Sequence, residues 1–262
     1  MTRIIANANQ KGGVGKTTLA INLSSGLVRK NPHNRVLLVD ADPQANATAV
    51  FLGIPFAAGP RTHINTIYEV LVEQLPVSQA LQQISLDDAP HTTLSILPSH
   101  LDLASAELEL VNTFERERRL RQALAAIQDE FDYIIIDCPP SLGLLTLNAL
   151  MAANEILIPV DPGVFPLIGL NLLHKTIDMV RQSNPGLKIT GVVPTLQDRT
   201  ALARDTIEQL TEAFGDKLLP AIPRRVAIGE AHASGQDIFS YETNGDSRAA
   251  FAALLEEVIG RG

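Results

Sequence analysis

The run Lys11-Gly12-Gly13-Val14-Gly15-Lys16-Thr17-Thr18 constrains this chain more than any other stretch. Ahead of it, Ile4-Ile5-Ala6 reads as a buried strand. Behind it, Leu19-Ala20-Ile21-Asn22-Leu23 reads as the opening of a helix. Strand, glycine-rich turn and helix, in that order, are the setting of a phosphate-binding loop. The glycines let successive backbone N–H groups point into one concavity, and the helix N-terminus adds partial positive charge there. Lys16 then reaches the β- and γ-phosphates of a nucleotide, and the Thr17 hydroxyl is available to Mg²⁺. The common pattern G-x-x-x-x-G-K-S/T asks for glycine at position 10, where this chain has Gln10. The G-K-T end is kept, and a second lysine, Lys11, stands at the start of the loop. A solvated turn with two lysines is the plainer alternative; the agreement of spacing, strand and helix argues against it.

Length and charge narrow the class. With 262 residues and 45% hydrophobic content, the chain suffices for one large α/β domain or two small ones. It has no polar low-complexity tract, long charge run, Gly/Ser linker or evident repeat, which favours one domain over residues 1–262. No apolar run is long enough to cross a bilayer, and the N-terminus has no signal-peptide pattern. Cys138 is the only cysteine, so an internal disulfide is excluded and a reducing cytosol fits. The six histidines are scattered, without zinc-ligand spacing. A net charge of −8 excludes a generally basic nucleic-acid coat and leaves room for a local basic patch.

Val36-Leu37-Leu38-Val39 ends in Asp40, and Tyr133-Ile134-Ile135-Ile136 ends in Asp137. Continuous apolar runs of this kind suit a parallel sheet covered on both faces. Residues 94–97, 155–159, 189–193 and 218–219 read as further strands. Helices are predicted at 67–71, within 101–127 (as two helices or one bent one), near 142–153 and 166–182, and at 201–214 and 248–259. Residues 54–65, with Pro55, Gly59 and Pro60, read as an irregular surface loop, and the charge cluster at 115–121 as a solvated face. The alternation predicts an α/β fold: a doubly wound, mostly parallel sheet with helices on both faces.

In such a sheet the carboxyl ends of the strands surround the ligand crevice. Asp137 is therefore placed to hold Mg²⁺, usually through water, although a helix-capping role before Pro139-Pro140 is also open. Asp40-Ala41-Asp42-Pro43-Gln44 places two carboxylates one residue apart at another strand end. One can contact the loop or metal while the other orients water; alternatively, Asp-Pro is simply a turn.

Taken together, residues 11–18, residues 36–44 with Asn46-Ala47-Thr48, and Asp137-Cys138-Pro139-Pro140-Ser141-Leu142-Gly143 (continued by residues 145–150) resemble the three signature blocks of the ParA/MinD family of deviant Walker A ATPases. The likeness is strongest to its small, Soj-like ParA members. Ile222-Pro223-Arg224-Arg225-Val226 with Glu230-Ala231 resembles a further block. The resemblance implies a P-loop fold with ATP and Mg²⁺ as cofactors. It assigns nucleotide contacts to Lys11, Gly12, Gly13, Val14, Gly15, Lys16, Thr17, Thr18, Asp40, Asp137, Pro223 and Arg224. It assigns the metal to Thr17, Asp42 and Asp137, and catalysis to Lys11, Lys16 and Asp42. Asp42 would position the attacking water, and Lys11 would reach the nucleotide of the partner subunit in an ATP-sandwich homodimer. A cation supplied in trans stabilises charge on the transferring phosphoryl group as an arginine finger does.

The resemblance further implies that the ATP-bound dimer binds nucleoid DNA without sequence preference. A ParB-like or McdB-like adaptor would stimulate hydrolysis, and the cargo would be a plasmid, a chromosome or a protein organelle such as a carboxysome. The location would be cytoplasmic and nucleoid-associated, with no membrane partner. Candidate DNA contacts are Arg199, Arg204 and Arg225; Ala227 stands where some relatives carry a basic residue. Ion pairs of these arginines with Asp198, Asp205 or Glu230 are the bland alternative. The chain starts almost at its first strand, so the helix-turn-helix of larger plasmid-type members, and operator binding, are not expected. A MinD-like membrane cycle meets an acidic tail, with Glu256 and Glu257 against Arg261. A reductase like the nitrogenase iron protein needs two cysteines per subunit, and this chain has one. A non-hydrolysing scaffold is opposed only by Asp42. Cys138 is expected as a small buried side chain beside the site.

Overall fold

The computed structural model describes residues 1–60, 64–86, 89, 91–162, 166–198 and 200–262, with residues 166–169 described in backbone only. Among the described residues seven strands form one sheet. They are β1 (Arg3–Asn7), β2 (Arg35–Asp40), β3 (Gln82–Ile84), β4 (Thr93–Leu97), β5 (Tyr133–Asp137), β6 (Glu155–Val160) and β7 (Lys188–Pro194), in the order β3-β4-β2-β5-β1-β6-β7. All neighbours pair in parallel except β3, which runs antiparallel to β4 at the edge. The mostly parallel, doubly wound sheet is the one the alternation of apolar runs predicts.

Helices cover both faces. In chain order they are α1 (Lys16–Lys30), α2 (Asn46–Leu52), α3 (Ile54–Ala58), α4 (Ile67–Val72), α5 (Leu103–Leu110), α6 (Arg119–Ala125), α7 (Leu144–Ala152), α8 (Pro166–Arg181), α9 (Ala201–Phe214), α10 (Val226–Ala233), α11 (Ile238–Tyr241) and α12 (Asp246–Gly260). Side chains alternate across a strand, so each central strand feeds two cores. Ile4, Leu37, Val39, Ile134 and Ile136 pack with α4 to α8. Ile5, Val36, Leu38 and Ile135 pack with α1 and α12 on the other face. Both cores are closed to water at these strands, which is why β2 and β5 read as unbroken apolar runs.

Three expectations need correcting. Residues 54–58 are not loop but α3, with Pro55 in its first turn, where the missing N–H is not needed. Residues 218–219 form no strand. Leu218 makes a single bridge to Val192, the Leu219 N–H donates to the Val192 carbonyl at 2.8 Å, and Pro220 interrupts the pairing until the Ile222 N–H donates to the Pro194 carbonyl at 2.8 Å. The 115–121 cluster is only partly solvated. Glu115 pairs with Arg118 at 3.3 Å, and Asn148 of α7 accepts from the Leu120 N–H at 3.0 Å while donating to the Arg116 carbonyl at 2.8 Å.

Candidate nucleotide site

The loop between β1 and α1 turns on Gly13 and Gly15, whose φ values of 73° and 82° lie in the left-handed region that a Cβ disfavours. Gly15 caps α1, and among the described residues no side-chain cap bonds to that helix end. The helix therefore opens with donors turned to whatever the loop encloses. Two side chains fasten the loop, and sequence reasoning assigned neither a role. Asn9 donates through Nδ2 to the Pro159 carbonyl at 2.7 Å and accepts the Lys11 N–H on Oδ1 at 3.0 Å. Thr195, just past β7, donates to the Val14 carbonyl at 2.7 Å. Asn9 is adjacent to the signature and could have been found there. Thr195 is 181 residues from its partner and belongs to no local pattern.

Lys16 is buried, and its Nζ donates to the Lys11 carbonyl at 3.1 Å. Burial lowers its pKa; the nearby Asp137 and Asp42 oppose that shift. The ends of β2 and β5 supply the carboxylates, since Asp40 pairs in register with Asp137. Asp40 has its oxygens committed to the protein. Oδ2 accepts from the Thr48 N–H at 2.8 Å and the Thr48 hydroxyl at 2.7 Å, and Oδ1 accepts from the Asp42 N–H at 3.2 Å. Burial still pushes its pKa up to about 6. Asp40 thus holds the turn that presents Asp42. Asp42 accepts the Gln44 N–H at 2.9 Å, and burial raises its pKa against the pull of Lys16.

Asp137 is fully buried, and neither of its carboxylate oxygens has a hydrogen-bond partner among the described residues. Burial first, and the neighbouring Asp40 second, push its pKa well above the usual carboxylate range; the Thr17 hydroxyl, close to the carboxylate but outside hydrogen-bonding geometry, and Lys16 offset part of this. A buried carboxylate without a partner calls for a cation. The oxygens of Thr17, Asp42 and Asp137 are hard donors of the type Mg²⁺ takes. Among the described residues no three His, Cys, Asp or Glu side chains make a self-sufficient metal cage. That fits an ion completed by phosphates and water. Cys138 is buried, and burial raises its thiol pKa strongly, so it is an unreactive neighbour.

Other expected residues lie apart from this cluster. The Lys11 ammonium is half-exposed and pairs with Asp161 at 3.0 Å. Pro223 bridges Gln197 in parallel, and Arg224 pairs with Asp198 at 3.2 Å. Arg225 pairs with Asp246 at 2.9 Å, whereas Glu230 accepts from the Tyr241 hydroxyl at 3.2 Å. Arg204 is exposed on α9. Arg199 lies outside the described residues. Among the described residues no helix is long and apolar enough to cross a membrane.

A family model described as an AAA domain matches residues 2–189. The chain is similar to the chromosome partitioning protein ParA of Myxococcus xanthus (strain DK1622), with 42% identity over 262 residues, covering 99% of this chain and 88% of that protein. Its fold is similar to that of a plasmid partition protein from Borrelia burgdorferi B31 bound to AMPPNP. That match has a TM-score of 0.83 and 26% identity, and covers 100% of both chains. It is also similar to a structure from Mycobacterium smegmatis described as cobyrinic acid a,c-diamide synthase with bound ADP and magnesium. There the TM-score is 0.75 and the identity 38%, covering 90% of this chain and 91% of that one.

Proposed function

The chain belongs to the ParA family of partition ATPases, and from that premise we propose that it cycles between an ATP-sandwich dimer on DNA and a released state. ATP and Mg²⁺ are its cofactors. The dimer binds nucleoid DNA without sequence preference. A ParB-like or McdB-like adaptor stimulates hydrolysis and releases it, so that a plasmid, chromosome or protein organelle is segregated or positioned within the cytoplasm. The observation that carries this reading is the fully buried Asp137 carboxylate, unpartnered among the described residues, beneath a glycine-turned helix N-terminus.

In this reading Lys16 and the loop N–H groups, from Lys11 to Thr18, hold the phosphates. Thr17, Asp42 and Asp137 would hold Mg²⁺, which neutralises charge on the β- and γ-phosphates when bound. Asp42 positions the attacking water; burial makes its carboxylate more basic, which suits it to accept a hydrogen bond from that water. Asp40 contributes to the nucleotide site by holding Asp42. Pro223 and Arg224 flank the nucleotide from the segment beside Gln197. Lys11 crosses to the partner's nucleotide. The surface pair it leaves with Asp161 is worth about 1 kcal/mol or less, so that pair does not hold it back.

A MinD-like membrane cycle is disfavoured by α12. Its Leu254, Leu255 and Val258 are buried against the sheet, and its Glu256 and Glu257 face Lys30 and Arg261. The apolar face is already committed to the core and is not free to enter a bilayer. Phosphate release with ATP, duplex DNA and adaptor tests the whole reading. Lys16→Ala should fall to background through lost nucleotide binding, and Asp42→Ala should fall on the order of a hundredfold with binding intact. Turnover by Asp42→Ala at the wild-type rate would contradict the assignment.

A further inference from the structure

Asn7 is the last residue of β1 and is fully buried. Neither its Nδ2 nor its Oδ1 has a hydrogen-bond partner among the described residues. It stands in register with Asp137, the one buried carboxylate in the structure that shares this condition among the described residues. The two lie on the same face of the sheet. Ile5 and Ile135, two positions earlier on each strand, both pack into the core beneath α1. Asp40 continues the row on the far side of Asp137, in register with it on β2. Asp137 therefore has a second carboxylate on one flank, already bonded to Thr48 and the Asp42 N–H, and a free amide on the other. Adjacent strands lie about 4.8 Å apart, so side chains in register across them are within reach of one shared water.

Asparagine is disfavoured in strands, and a buried amide with no partner is costly to keep. Packing offers no reason for it here, since Leu157 of β6 on its other flank and Ile5 before it on β1 are apolar. An amide also supplies the two donors that Asp137 lacks.

We propose that Asn7 is a positioning residue for the Mg²⁺ site: its amide donates to the Asp137 carboxylate through one water and keeps that carboxylate oriented for the ion. Hydrogen bonds to the ligand of a metal commonly tune its affinity in this way. The proposal rests on the reading of the site as one for Mg²⁺ and ATP.

The test is calorimetric titration of AMP-PNP at graded Mg²⁺ concentrations, on wild type, Asn7→Val, Asn7→Ala and Asn7→Ser, with melting temperatures taken free of nucleotide and metal. The melting temperatures establish that each variant folds before its Mg²⁺ requirement is compared. The Mg²⁺ concentration for half-maximal nucleotide binding should rise about tenfold. Asn7→Ser, which keeps a donor, should need less Mg²⁺ than Asn7→Ala, although both leave the same small gap. An unchanged Mg²⁺ requirement in Asn7→Val, or equal requirements in the serine and alanine variants, would overturn the positioning role. Wild-type binding that ignores Mg²⁺ would instead overturn the reading of the site, and the positioning role with it.

Discussion

Burial pushes the Asp40 carboxyl up to about 6 although its oxygens accept three hydrogen bonds. The sign of the consequence follows from linkage. Between about pH 4 and 6 the folded protein keeps a proton on Asp40 that the unfolded chain releases. The stability this contributes is present below about pH 4 and lost as pH rises through 6. Arg3–Glu155 and Arg35–Asp132 hold their carboxylates below the usual range and slope the other way, so the comparison must be between variants. Without ligands, the stability of wild type relative to Asp40→Asn should fall from pH 4 to 6 and then level; a constant difference, followed by thermal melting, would show that Asp40 is not the group. The sequence placed both Asp40 and Asp42 at a strand end but could not divide their work. That division depends on three bonds, from the Thr48 N–H, the Thr48 hydroxyl and the Asp42 N–H, in a connection into α2 whose shape no spacing rule specifies.

At the scale of elements, periodicity was legible wherever a strand or helix buried one consistent face. The helix Ala201–Phe214 was readable for that reason, and the strands ending in Asp40 and Asp137 were readable because both of their faces are buried. The misreadings fall where backbone chemistry and tertiary packing disagree with local signals. Pro55 looks like a loop residue and is a first-turn residue. Leu218-Leu219 looks like a strand, but the segment is pinned to β7 by its side chain. A Cβ added to Gly191 would lie 2.1 Å from Leu219 Cδ1, so Leu219 occupies the space over that glycine. Gly191→Ala should force Leu219 aside and cost about 1–3 kcal/mol. Chemical denaturation reads this directly, and a stability equal to wild type would show that the segment relaxes freely. The same segment carries the chain from α9 toward Pro223, so a shift there would reach the flank of the site.

For the whole molecule, the proposed function combined with a net charge of −8 means that DNA would have to meet a local patch, which a dimer would double. Arg225 is committed to Asp246 in the isolated chain, whereas Arg204 is exposed on α9. If both meet phosphate, Arg204→Ala and Arg225→Ala should each reduce the log–log salt slope of duplex binding by about one, equally for all sequences. Unchanged slopes would remove them from the patch. These contacts were the least legible part of the chain, because a surface arginine's partner is set by what folding brings opposite it. The central claim is that Mg²⁺ and ATP join two copies through this site. Light scattering on Asp42→Ala with and without ATP and Mg²⁺ tests it most directly. The expected result is a dimer mass that appears only with ATP and Mg²⁺ and that Lys11→Ala, in the same background, fails to reach. A monomer mass under all conditions, with ATP bound, would contradict the account.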